Sequence, residues 1–93
     1  MSKGQQKKKR EKLILSQDVL EAAREKGDQH EISLAAANLG FAFFQAKKFN
    51  EGLANFNEAD EIAATLDDLH LQVHCLGMKT MAYQNAKRLP SAF

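Results

Sequence analysis

Residues 38–60 read "NLGFAFFQAKKFNEGLANFNEAD". This stretch places Gly40 and Gly52 inside two segments whose apolar residues otherwise recur at helical spacing. A glycine in a helix interior costs about 0.5–1 kcal/mol relative to alanine. That cost is offset only where a missing side chain lets a neighbouring backbone come close. Both glycines are therefore expected at tight helix–helix contacts, with Phe43 and Phe56 filling the space beside them. The stretch is then a helix hairpin, turned by "AKKF" at 46–49.

The same periodicity continues outward. Ile32, Ala36, Leu39 and Phe43 form one stripe and predict a helix over 30–45, while Leu53, Phe56, Ala59, Ile62, Ala63 and Leu66 predict another over 50–66. Upstream, Leu13, Leu15, Val19, Leu20, Ala22 and Ala23 predict a helix over 11–26, stopped by Gly27 of "KGDQ" in a left-handed conformation. Downstream, Leu69, Val73, Leu76, Thr80 and Tyr83 predict a helix over 69–85, capped by the aspartates at 67 and 68. Pro90 suits the first turn of a further helix starting at 90. Alternation of the strand type does not persist anywhere, and the short turns force antiparallel neighbours. The fold class is all-α, an array of antiparallel helix hairpins.

Displacing the chain on itself by 40 residues superimposes turns as well as helix faces. Ala23 falls on Ala63, Asp28 on Asp68, His30 on His70, Phe43 on Tyr83, Lys47 on Lys87 and Lys48 on Arg88. The turns "AKKF" and "AKRL" coincide at the same offset. Helical composition alone does not align turns, so the unit is an internal repeat, a hairpin of about 40 residues.

Within that unit Leu39 and Gly40, followed by Phe43, and then Gly52, Phe56 and Ala59 resemble the tetratricopeptide repeat (TPR). That family has a Leu-Gly pair and an aromatic on the first helix, and small and aromatic residues on the second. Ala36 stands where the family often has tryptophan, and no proline ends the second helix. The 40-residue period is similar to the longer variant found in scaffold proteins that orient spindles or assemble receptor and cytoskeletal complexes. The resemblance covers residues 10–93 and implies a right-handed superhelix, an α-solenoid. It also implies packing roles for Leu39, Gly40, Phe43, Gly52, Phe56, Ala59, Leu76 and Tyr83.

The resemblance further implies a non-catalytic interaction module or scaffold, in which the helices at 30–45 and 69–85 line a groove for a peptide or helical segment of a protein partner. Counted from Leu39 and Gly40, the groove candidates are Leu34, Asn38, Phe41 and Gln45, and by the 40-residue offset His74, Met78 and Met81. By the same offset the helix at 11–26 is the second helix of a preceding unit, so the array starts with half a unit and stops as another second helix begins. Either the chain is a fragment of a longer array, or its open end docks on another copy or on a partner. The alternative function is accordingly a self-associating helical protein that dimerises through its open C-terminal repeat end.

Charge is unevenly spread beneath a formal net charge of +1. Residues 1–12 carry six lysines and arginines against Glu11, whereas residues 50–78 carry six acids and no lysine or arginine. Residues 1–9 are expected to form a disordered basic tail ahead of the repeat domain at 10–93. Its run "KKKREK" at 7–12 lacks interleaved aromatics for stacking, which leaves nucleic-acid or anionic-surface binding as a third, weaker function. The single cysteine, Cys75, excludes an internal disulfide, and no apolar run is long enough to span a bilayer. A cytoplasmic location is expected, with nuclear import through Lys7, Lys8, Lys9 and Arg10 as the other outcome.

Catalysis and cofactors find no support. His70, His74 and Cys75 fall short of the three or four correctly placed ligands that zinc needs, and no base and orienting acid can be assigned to Cys75. The pairs Asp60/Glu61 and Asp67/Asp68 are adjacent in sequence and point in different directions, as caps and solvated residues do. No enzyme activity, metal or cofactor is expected.

Overall fold

The computed structural model describes the backbone of residues 3–87 and the side chains of residues 10–87. It contains four helices: α1 (Lys3–Lys26), α2 (Gln29–Gln45), α3 (Phe49–Leu66) and α4 (Leu69–Lys87). Successive helices are antiparallel, so α2 and α4 point the same way and pack side by side. The described chain measures 41 × 26 × 19 Å.

The three turns share one chemistry. Gly27, Lys47 and Asp67 each adopt a left-handed conformation, with φ of 78°, 65° and 54°. After α2, the Lys48 amide reaches back to the Phe43 carbonyl (2.8 Å) and the Lys47 amide to that of Phe44 (3.0 Å), so the last carbonyls find donors. After α3, Asp68 and Asp67 bond Ala63 and Ala64 in the same way. Asp28 then opens α2 by accepting the Glu31 amide at 3.2 Å, and Asp68 opens α4 by accepting that of Leu71 at 3.1 Å. The left-handed pair Gly27/Asp67 and the capping pair Asp28/Asp68 are both 40 residues apart. The 40-residue spacing thus relates one turn and one helix cap to another in backbone geometry. It also shows in packing, since α1 lies on α2 as α3 lies on α4.

The central helix is α2. Ten of its seventeen residues are buried, far more than one amphipathic stripe requires, because α1, α3 and α4 all pack on it. Small residues make this possible. A methyl group added to Gly40 would lie 3.0 Å from the Gly52 carbonyl oxygen and 3.1 Å from the Phe56 ring. One added to Gly52 would run into the Phe44 ring and lie 3.0 Å from the Gly40 carbonyl oxygen. The two glycines therefore face each other across the α2–α3 hairpin; fully buried Phe56 fills the space beside Gly40, and Phe44, not the expected Phe43, fills that beside Gly52.

Beside them a polar thread joins three helices. The Ser33 hydroxyl of α2 donates to the Ala59 carbonyl of α3 at 2.9 Å and lies 3.5 Å from the Cys75 sulfur of α4. With its single proton committed to Ala59, Ser33 accepts from the thiol. Burial pushes the Cys75 thiol up, more than the neighbouring hydroxyl pulls it down, which keeps it a neutral packing group.

Three expectations need correction. First, α1 starts at Lys3 and not at the expected residue 11. Lys, Gln, Glu and Arg are good helix formers, and extending an existing helix is easy once its nucleus is paid for elsewhere. Second, Leu76 is 60% exposed and takes no part in the packing, whereas Leu39, Gly40, Phe43, Gly52, Phe56 and Ala59 are buried and Tyr83, though partly exposed, packs its ring on Phe44. The face of α4 that packs inward carries Leu71, Cys75 and Ala82 instead. Third, Phe49 is not part of a polar turn, because it opens α3 and its ring packs on Phe44. The further helix expected at Pro90 lies outside the described residues.

Candidate functional site

An aromatic cluster fixes the end of the molecule where α2 finishes and α3 begins. The Phe44 ring meets Phe49, Phe56 and Tyr83 edge to face, with centroids 5.1, 5.5 and 5.4 Å away. Such pairs each add about 0.5–1.5 kcal/mol beyond area burial. They tie α2, α3 and α4 together at this end and hold the last turns of α2 and α4 at a fixed separation.

Between those last turns is a hollow of about 180 Å³. Phe41, Phe44, Ala82 and Ala86 give it an apolar floor, and Gln45, Asn85 and Lys47 supply its polar edge. Gln45 and Asn85 are related by the 40-residue offset, so each repeat contributes one amide. Lys47 reaches the edge from the left-handed turn position, where a residue with a Cβ pays about 1–2 kcal/mol in backbone strain. Cofactor pockets run to about 300–1,000 Å³, and this hollow lies below that range.

The residues expected to share one groove are divided between two places. Phe41 and Gln45 line the hollow. Leu34 and Asn38 instead open toward α1, in a cleft of about 390 Å³ shared with Val19, Ala22 and Lys26. Met78 is half-buried, packed between the two parts of the core. His74 and Met81 are exposed on α4 and line neither space. Asn85, Ala86 and Lys47 were not among the expected site residues. Adding 40 to Gln45 would have identified Asn85.

Away from these spaces the ion pairs join helices. Arg24 grips Glu58 of α3 through two contacts of 2.7 Å, and the carboxylate holds the guanidinium above its ordinary range. Lys79 reaches Asp60 at 2.9 Å. Among the described residues no group of three or more histidines, cysteines or acids is placed to hold a metal ion, and no helix is long and apolar enough to cross a membrane. Compared with models of known protein families, with curated proteins and with solved structures, the chain matches none. What is established is an all-α, four-helix domain with an exposed apolar and aromatic surface.

Proposed function

We propose that the chain is a non-catalytic protein-interaction module built of TPR-like hairpins, a short right-handed solenoid that holds a peptide or helical segment of a partner across α2 and α4. One observation carries this: the hollow at the ends of α2 and α4, apolar in its floor and bracketed by Gln45 and Asn85, one from each repeat. A carboxamide donates and accepts at once, which suits both polar groups of a peptide unit. An apolar side chain of the segment then fills the floor over Phe41 and Ala86.

The test is to select peptides from a random library on the immobilised full chain. A selected peptide is expected to carry an apolar anchor. It should lose about tenfold in affinity on Phe41→Ala, and as much on Gln45→Ala with Asn85→Ala, with circular dichroism unchanged. Asn38→Ala, which alters the other cleft, should leave binding unaltered. A peptide that binds every hollow variant equally overturns the assignment.

A further inference from the structure

We infer that copies of this chain associate head to tail, with α4 of one copy seated in the cleft between α1 and α2 of the next. Both surfaces are apolar and open. On α4, Leu69, Val73 and Leu76 are 71%, 69% and 60% exposed along one stripe. At the cleft, Val19 is 57% exposed and lies beside Ala22, Leu34 and Ala35. The two surfaces belong to helices that pack on α2 from different sides.

The internal repeat gives the register. By the 40-residue offset α1 corresponds to α3 and α2 to α4. Placing α4 against the next copy's α1 repeats the packing of α2 on α3, and the same placement sets α4 beside the next copy's α2 as α2 lies beside α4. One position of the second copy therefore gives α4 the two helix neighbours that α2 has within the chain, at the wider spacing its larger side chains require.

The side chains at those positions complement one another. Where α2 offers Gly40, α3 fills the gap with Phe56. At the offset positions α4 has the larger Thr80 and α1 the smaller Ser16. The buried pair Ser33 and Ala59 becomes Val73 and Val19, two valines that are otherwise bare. Because the two contacting surfaces differ, the association is heterologous and extends past a dimer unless the rotation closes a ring.

Sedimentation velocity over a concentration series tests this with the full chain. The wild type should grow in mass beyond a dimer. Val73→Asp and Val19→Asp should each weaken association about tenfold or more while helicity persists. Mixing the two variants is the diagnostic step. Val73→Asp keeps an intact cleft and Val19→Asp keeps an intact α4, so the mixture should form a 1:1 dimer that stops there. A wild type that stays monomeric throughout overturns the inference. So does association that survives Val19→Asp, which would mean that α4 pairs with α4. Neither valine lines the peptide hollow, so either result leaves the peptide test standing.

Discussion

The face of α2 that packs on α3 and the face of α4 displaced from it by 40 residues occupy equivalent positions and have opposite fates. On α2 that face carries Ser33, Ala36 and Gly40, all buried. On α4 it carries Val73, Leu76 and Thr80, all exposed. The larger and more apolar set is the one left in solvent, so apolar character by itself does not say which face of a helix is covered. Close packing favours small residues, because backbones approach only where side chains are short. An uncovered face has no such limit and can be bulky enough to hold a partner by area.

The largest way to break this contrast is Gly52→Leu, which puts a side chain where the Phe44 ring and the Gly40 carbonyl already sit. Overpacking of this kind costs about 1–3 kcal/mol and occasionally more, and a backbone contact that cannot yield puts this site at the upper end. Urea denaturation should show the midpoint falling steeply, and an unchanged midpoint would remove the close-packing explanation. A reciprocal exchange is next in size. Ala36→Leu adds bulk to a fully buried position and should cost about 1–3 kcal/mol, whereas Leu76→Ala at the offset position should stay within about 0.5 kcal/mol. Equal losses would mean that the α4 stripe is covered in the isolated chain. The smallest effect has the other sign. A methyl at Gly77 meets nothing within 4 Å, so Gly77→Ala should raise stability by about 0.5–1 kcal/mol, read as a higher melting temperature.

How far these features were legible in the sequence varies along the chain. Gly40 and Gly52 were legible because a helix tolerates an interior glycine only for a reason, and the reason points to contact. Gly27 and Asp28 were legible because a left-handed stop and a cap are local in origin, set by a few neighbouring residues. The inward face of α4 was not. That helix has apolar residues on two sides, Leu71, Cys75 and Ala82 on one and Leu69, Val73 and Leu76 on the other, and its own periodicity cannot rank them. The division of the site was equally hidden. Leu34 and Phe41 are two helical turns apart, and whether each looks toward α1 or α4 depends on how both neighbours sit against α2.

By itself, then, the sequence determined the four helices of the described residues and their turns, because helix periodicity, caps and stops are written in residues close together along the chain. Only the tertiary structure decided that Cys75 turns inward while Leu76 turns out, that Ser33 bonds Ala59, and that Gln45 meets Asn85 across one hollow. Those outcomes depend on the trough that α2 and α3 form together. A trough floored by small residues accepts the slimmer face of α4 and leaves its bulkier face to the surface.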